Sequence, residues 1–511
     1  MTQPLIKKRV VWCIGGVDSS GGAGITRDAI TLADLDVHAC VLTTQLTVQS
    51  NTVMLSRNES SVSALNAQWQ VLWEDTPPSA IKIGALANDE QAQLICARLQ
   101  SLDSPRPFVV WDPVFRTSSG GQLGTLSQNT VTELLKSVDV VSPNTNELCS
   151  LTNSTRRLSS VEDMKAQAKQ LLALGAHSVL VKGGHLSENE SQSEVCDVFV
   201  TPEQTYTFSV NYSSGGNLRG TGCMLASALC AFVVRHYDVP DALTLAVAYV
   251  NQVRQYCEQL PSATYFARTT GFPQCPSAFP TVDIQREGNK ASTEIDVNET
   301  RDSYLPFAPL IDKSLGIYPV VDSIHWLKML LPTGVKVMQL RLKEGSDSEI
   351  RQQISQAIAL TSNTECQLFI NDYWEWAIEL GAYGVHLGQE DLDTADLNAI
   401  QQAGLRLGVS THGYAEIQRV KKLKPSYIAL GHIFPTATKD MPSSPQGVAR
   451  LANYVPLCEG IPTVAIGGIT LSRVQAVAQT QVDSIAVVTA ITQADNPLMA
   501  YRQLAEEAGF A

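Results

Sequence analysis

The chain has 511 residues, more than one hydrophobic core ordinarily supports, so two or more domains are expected. A formal charge of -13 at pH 7 and an isoelectric point near 5.1 exclude a general nucleic-acid or anionic-membrane binder, while local basic residues can still hold small anions. Eleven scattered cysteines without a C-x-x-C pair read as reduced thiols, and no apolar run, Gly220 to Val234 included, reaches the roughly 20 residues of a membrane span, so a cytoplasmic protein is expected.

In the first half the β-branched runs VVWCIGG, VHACVLTTQL, AIKIGAL, FVVWDPV, VDVVSPN and SVLVKGG alternate with helical patterns such as DMKAQAKQLLALG. This alternation predicts a mainly parallel sheet covered by helices, with ligands beyond the carboxyl ends of the strands. GVDSSGGAGITRDAITLADL places a glycine-rich turn between a strand and a helix but lacks the spacing of a Walker loop. Near the end of this half, RGTGCMLASAL runs from small residues into an apolar helix. Gly220, Thr221 and Gly222 would there offer backbone N–H groups and the positive end of a helix dipole to phosphate. Cys223, with an ordinary thiol pKa of about 8.5, would be lowered toward thiolate at a helix N-terminus. The competing reading is a small buried hydrophobe, which is how Cys230 is taken.

The segment Gln285 to Ser303 carries eight charged residues and almost no apolar ones, too few to repay its ordering entropy. The expected organisation is therefore a domain over 1–284, a polar linker over 285–310 and a second domain over 311–511, with GFPQCPSAFPTV closing the first.

The second half shows eight strand-like runs separated mostly by helix-length segments: GIYPVVDS, VKVMQLRLK, CQLFIND, YGVHLGQ, LRLGVSTH, YIALGHI, PTVAIGGI and SIAVVTAI. Eight such units in about 200 residues predict a (β/α)8 barrel. Gln339, Arg341 and Lys343, spaced by two, project to one face of a strand and suit phosphate; an exposed edge is the alternative. Asp372, at the end of one run, and Asp391, past the next, form a natural Mg²⁺ pair, or else cap helices. His386 reads as a packed barrel residue rather than a metal ligand. Ser410, Thr436, Thr438, Lys439, the Gly467-Gly468 pair and Val488-Thr489 complete a set of polar strand ends where barrels bind phosphate.

Through Q-x-R-x-K, N-D, H-x-G-Q-x-D, G-V-S-x-H, P-T-x-T-K, G-G-I and V-V-T-A-I, nearly all of Leu315 to Ala511 resembles thiamine phosphate synthases. The resemblance implies that Gln339 contacts an aminopyrimidine. Arg341, Lys343, Asn371, Ser410 and Lys439 would hold its diphosphate, and Asp372 and Asp391 would hold Mg²⁺. Thr436, Thr438, Gly468, Val488 and Thr489 would take thiazole phosphate. The implied reaction expels pyrophosphate and joins the pyrimidine methylene to the thiazole nitrogen, which calls for preorganised cations rather than a nucleophilic side chain.

From Val10 to the helices before residue 260, SSGGAGI, the Gln49 segment, IKIGAL, DPV, SPNxxE, LVKGGH and GTGC resemble hydroxymethylpyrimidine and phosphomethylpyrimidine kinases of the ribokinase-like superfamily. The resemblance implies ATP as co-substrate, Gln49 at the pyrimidine with Gly16 and Asp18 nearby, and Lys182 at phosphate. It puts Asn144 and Glu147 at Mg²⁺ and its waters, Asp112 in the metal or phosphate region, Gly220 to Gly222 as an anion hole and Cys223 as base. Read alone, Asn144 equally caps a helix and Lys182 equally lies on the surface. The chain departs from the family at Ser118 (with Arg116 nearby), at Arg219 before GTGC and in the tail around Arg268.

Together these resemblances imply a bifunctional enzyme of thiamine biosynthesis that phosphorylates hydroxymethylpyrimidine and its monophosphate and condenses the diphosphate with thiazole phosphate to thiamine phosphate, with a homo-oligomer compatible. The alternatives are a first half that is a non-catalytic pyrimidine-binding or assembly module, or a pyridoxal-type kinase, a branch sharing SSGGAG and GTGC.

Overall fold

Buried on both faces except for VHACVLTTQL, where Val41 and Leu46 are exposed, the β-branched runs of the first half lie side by side in one sheet of ten strands. These are β1 (Val10–Asp18), β2 (His38–Gln49), β3 (Met54–Glu59), β4 (Ala80–Ile83), β5 (Phe108–Trp111), β6 (Val140–Val141), β7 (Val179–Val181), β8 (Glu194–Val200), β9 (Gln204–Asn211) and β10 (Thr281–Arg286). Their order is β10-β9-β8-β7-β6-β5-β4-β1-β2-β3. The six predicted runs form the parallel centre, and antiparallel strands extend it at both edges. The computed structural model describes residues 9–117, 120–184, 194–213, 218–259, 269–287, 305–436 and 444–510.

Helices bury apolar faces against this sheet, and Trp12, Trp69 and Trp73 pack as a cluster, Trp12 and Trp69 edge to face at 5.1 Å. The helix Thr221–Val234 is buried almost all round, as its alanine-rich run demands. The strands β1, β4, β5, β6 and β7 all point their carboxyl ends toward its first turn, so polar residues at those ends converge.

The second unit is a closed barrel of eight parallel strands, one from each predicted run: β11 (Gly316–Val321), β12 (Val337–Leu340), β13 (Gln367–Asn371), β14 (Gly384–Leu387), β15 (Arg406–Thr411), β16 (Tyr427–Gly431), β17 (Thr463–Ile466) and β18 (Ser484–Val487). Tyr318, Val320, Val337, Phe369, Tyr427, Ala429, Val464 and Ala486 fill its centre. No helix among the described residues is long and apolar enough to cross a membrane.

Three expectations change. Gln285 and Arg286, expected to open the linker, belong to β10 and pair with Thr205 and Gln204; the alternating T-V-D-I-Q-R continues the strand into the charged run. At the linker's other end Phe307 and Leu310 are buried, and the Phe307 N–H donates to the Lys424 carbonyl oxygen at 3.1 Å. Finally, β12 stops at Leu340, so Arg341 and Lys343 leave from its end rather than from one strand face, although the Arg341 N–H still donates to Val321 O at 2.7 Å.

Candidate active sites

In the first unit the expected residues surround one cavity of about 840 Å³: Gly16, Asp18, Gln49, Asp112, Asn144, Glu147, Lys182, Gly220, Thr221, Gly222 and Cys223 all line it. Ser118 and Arg268 lie outside the described residues. The turn into the helix Gly24–Asp34 touches the end of β1 so closely that a Cβ on Gly24, whose φ is +63°, would stand 2.2 Å from Gly16 O. Asp18 accepts from the Ser20 N–H at 2.9 Å and from its hydroxyl at 2.7 Å. Its other oxygen makes no hydrogen bond but lies 3.7 Å from the Arg219 guanidinium, and the buried side-chain oxygen of Gln49 has no hydrogen-bond partner.

At the opposite side Gly220 caps the helix Thr221–Val234 in the left-handed region, φ +72°, and a Cβ there would lie 2.4 Å from Gly22 O. The side-chain substitute at this N-terminus is therefore a bare backbone with free N–H groups. Lys182 is not a surface residue: it pairs with Asp112 at 2.5 Å and lies 3.7 Å from Glu147. Asn144 does cap a helix, in a reciprocal capping box with Glu147, and this box holds the Glu147 carboxylate beside Lys182. Burial raises the Glu147 pKa to about 7 against the pull of Lys182.

Cys223 departs from its expectation. Burial pushes its thiol up to about 12, with Lys82 opposing and Asp28 and Asp112 reinforcing the rise, so desolvation outweighs the helix N-terminus. The thiol sits in hydrogen-bonding reach of Asp112. Arg219 donates to Ser20 Oγ at 3.3 Å, Ser50 O at 3.2 Å and Asn51 Oδ1 at 3.3 Å, tying the glycine-rich loop to the end of β2.

Sequence reasoning missed Lys82, Asp28 and Arg254, which also line the cavity. Lys82 is fully buried, 3.0 Å from Asp28, which also accepts from the Ser227 hydroxyl at 2.8 Å. Burial alone would lower the Lys82 pKa, but Asp28, Cys223 and Asp112 carry it well above the ordinary lysine value. The signal was a lysine inside the apolar run AIKIG. Arg254 reaches Thr221 Oγ1 at 3.3 Å.

In the barrel the expected residues stand at the carboxyl ends of the strands. Gln339 is buried on β12; Asn371 closes β13; Asp372 follows it at φ +66°, its N–H donating to His386 O at 3.0 Å. Asp391 begins a short 3₁₀ turn and accepts from the Gly388 N–H at 3.1 Å. His386 is buried, bonded to Tyr427 OH at 2.7 Å and Ser410 Oγ at 2.8 Å, in keeping with a packed residue. A Cβ on Gly468 would meet Pro435 O at 2.4 Å, which brings the end of β17 against the segment reaching Thr436. Val488 precedes the short helix Thr489–Thr492. Thr438 and Lys439 lie outside the described residues. Arg473, also missed, donates to Gly468 O at 2.7 Å and covers the Phe434 ring.

Among the described residues no group of three or more His, Cys, Asp or Glu side chains is arranged to hold a metal. Magnesium does not need one, since it binds through one or two carboxylates, water and substrate phosphates. In the barrel Asp372 and Asp391 follow the ends of neighbouring strands, and in the first unit Asp112 Oδ2 is buried without a hydrogen bond, 3.7 Å from the Lys82 ammonium.

Residues 18–264 match the family model for phosphomethylpyrimidine kinase and residues 317–491 the model for thiamine monophosphate synthase. The thiamine-phosphate synthase of Pectobacterium atrosepticum is 62% identical over 190 residues, 37% of this chain and 89% of that protein. That of Salmonella schwarzengrund is 56% identical over 206 residues, 40% of this chain and 98% of that protein. Among solved structures, a phosphomethylpyrimidine kinase from Clostridium difficile is 27% identical with a TM-score of 0.41, over 48% of this chain and 99% of that one. A pyridoxal kinase from Staphylococcus aureus in complex with pyridoxal is 22% identical with a TM-score of 0.46, over 54% of this chain and 98% of that one.

Proposed function

The chain belongs to the thiamine-phosphate synthase family through its second unit and carries a phosphomethylpyrimidine kinase domain before it, which makes it a bifunctional transferase of thiamine biosynthesis; from that premise we propose how its residues divide the work. In the first unit Gln49, whose buried side-chain oxygen has no hydrogen-bond partner, and Asp18, whose outer oxygen also faces Arg219, orient the pyrimidine by accepting from its amino group. The γ-phosphate of ATP rests between the backbone N–H groups of Gly220 to Gly222 and the Lys182 ammonium. Phosphoryl transfer through a loose transition state asks for positioned positive charge more than for a base. As the hydroxymethyl oxygen bonds to phosphorus and the bond to the ADP oxygen breaks, its proton leaves to an oxygen of the transferred phosphoryl group, while the Cys223 thiol, protonated in this buried site and in reach of Asp112, positions the hydroxyl by hydrogen bonding.

In the barrel Gln339 holds the aminopyrimidine, Arg341, Lys343, Asn371, Ser410 and Lys439 hold the diphosphate, and Thr436, Thr438, Gly468, Val488 and Thr489 hold the thiazole phosphate. The C–O bond to the diphosphate breaks with its electron pair leaving on pyrophosphate, and the thiazole nitrogen bonds to the methylene carbon. Asp372 and Asp391 would hold Mg²⁺ in the barrel, and Asp112 with Glu147 in the kinase, where it would supply positive charge to phosphate oxygens.

The observation that carries the kinase assignment is Lys182, paired with Asp112, beside the bare N-terminus of the helix Thr221–Val234, where a Cβ on Gly222 would lie 3.1 Å from its nitrogen. The test is ADP release and thiamine phosphate formation by the full chain supplied with hydroxymethylpyrimidine, its monophosphate or pyridoxal. ATP turnover on both pyrimidines and not on pyridoxal supports the reading. Synthase activity without any ATP turnover would leave the first unit a binding module.

A further inference from the structure

Five side chains from five strands form one hydrogen-bonded line through the barrel interior. The Gln339 amide, on β12, stands in hydrogen-bonding reach of the hydroxyls of Tyr318 on β11 and Tyr427 on β16. Those two hydroxyls are 2.9 Å apart. Tyr427 OH lies 2.7 Å from Nδ1 of His386 on β14, and Nε2 of His386 lies 2.8 Å from Oγ of Ser410 on β15. Gln339, Tyr318, Tyr427 and His386 are all buried.

We propose that this line is a one-way hydrogen-bond relay that couples the pyrimidine held by Gln339 to the hydroxyl Ser410 presents to the diphosphate, with His386, Tyr427 and Tyr318 as positioning residues. The inference rests on the assignment of Gln339 and Ser410 as substrate contacts. Donor and acceptor bookkeeping fixes its direction. Phosphate oxygens accept, so Ser410 donates its proton outward, and its oxygen accepts from His386 Nε2–H. A neutral imidazole protonated at Nε2 accepts at Nδ1, so Tyr427 donates there. The Tyr427 oxygen then accepts from Tyr318, and the Tyr318 oxygen accepts from the Gln339 NH₂. Gln339 is left with a carbonyl oxygen to accept from the amino group of the pyrimidine. Every donor along the line finds an acceptor without a reversal.

The direction matters because both ends change charge in the reaction. As the C–O bond breaks, the aminopyrimidine gains positive charge and its amino group becomes a stronger donor, while the departing diphosphate gains negative charge. Hydrogen bonds in series polarise one another in a low-dielectric interior. The stronger pull at Gln339 therefore strengthens the Ser410 hydroxyl as a donor at the same moment, an interaction that grows toward the transition state. Burial keeps both phenols protonated and able to donate, with the Tyr427 hydroxyl pushed well above the ordinary tyrosine value. The backbone makes room for this tyrosine: a Cβ on Gly408 would fall 2.1 Å from its Cζ and 2.4 Å from its hydroxyl oxygen. Phenylalanine would fill the same space, so packing alone does not call for the hydroxyl.

The experiment is a set of variants in the full chain. Tyr427→Phe keeps the ring and cuts the line; it is expected to lower kcat for thiamine phosphate formation about tenfold or more, with KM for thiazole phosphate and the kinase rate unchanged. Tyr318→Phe removes one link but leaves Gln339 in reach of Tyr427, so a smaller loss of kcat in the same direction is expected, which covers the case in which the first variant fails to fold. Ser410→Ala should cost several-fold less in the Tyr427→Phe background than in the wild type. His386→Gln, which can place an amide donor near the position of Nε2, should retain more activity than His386→Asn. Additive losses for Ser410→Ala and Tyr427→Phe, or wild-type kcat in both phenylalanine variants, would overturn the relay. If Ser410→Ala and Gln339→Ala leave kcat and the KM for the pyrimidine diphosphate untouched, the substrate contacts themselves are wrong and the relay falls with them.

Discussion

Lys182 and Asp112 meet at 2.5 Å over the first turn of the helix Thr221–Val234, where a Cβ on Gly222 would come within 3.1 Å of the lysine nitrogen. An ammonium beside the positive end of a helix dipole is repelled by it, and Asp112 supplies the compensating charge until a phosphate arrives. Lys182→Met should therefore lower kinase kcat by about 100-fold or more while thiamine phosphate formation from supplied pyrimidine diphosphate stays at the wild-type rate. ADP release and thiamine phosphate yield, measured on one preparation, check both halves; equal losses in the two assays would refute it.

Glu147 gives the kinase domain a pH signature. Its folded pKa of about 7 is raised by burial from the ordinary 4.5, so the folded state binds the extra proton and stability falls as pH rises from about 4.5 to about 7. Glu147→Gln keeps the capping box, since glutamine serves equally at that position, and removes the buried charge. Thermal unfolding of the variant should show about 3 kcal/mol more stability at pH 8 and a flatter profile between pH 5 and 7. Kinase turnover should fall in the same variant, through loss of the carboxylate proposed at Mg²⁺. An unchanged pH profile would place the titration elsewhere.

Gly220→Ala should be felt in folding and in catalysis. A positive φ costs a non-glycine residue roughly 1–2 kcal/mol before any clash, and the added methyl would lie 2.4 Å from Gly22 O, a backbone atom that cannot swing aside. The expected result is a lower unfolding midpoint with kinase activity lost and synthase activity kept. A variant with unaltered ATP turnover would show that the turn is not needed in its observed shape.

Alkylation should separate two cysteines. Cys275 is exposed, whereas the Cys223 thiol is buried and pushed up to about 12. Near neutral pH, iodoacetamide should label Cys275 first and leave Cys223 largely unmodified by peptide mass spectrometry. Rapid labelling of Cys223 would restore the resting thiolate.

In the barrel, Asp391→Asn should raise the Mg²⁺ concentration needed for half-maximal synthase activity by about tenfold or more, without moving the Mg²⁺ dependence of the kinase. A metal titration of both activities reads this directly.

Much of the architecture was legible because strands buried on both faces announce themselves as unbroken apolar runs: all eight barrel strands lie within runs such as CQLFIND and YIALGHI. The edge strands were harder. Met54–Glu59 is mostly exposed and polar, so it carries no burial pattern to read. Of the cavity, the glycine turns and the N-x-x-E element were visible as local spacing, but Lys82 finds Asp28 across 54 residues of chain, a distance no local pattern spans. The state of Cys223 was misread for a related reason: its helix position is local, whereas the desolvation that outweighs it comes from the whole fold.

The strand Thr281–Arg286 sets where the two enzymes can be separated and transplanted. A cut after residue 284, where the charged run begins, would strip Gln285 and Arg286 from the sheet, together with the bond from the Glu287 N–H to Glu203 O at 2.9 Å. A barrel begun at residue 311 would leave behind Phe307 and Leu310, which it buries. Grafts of either catalyst should therefore keep residues through 287 on one side and start no later than 305 on the other, because each domain extends into the polar stretch that divides them.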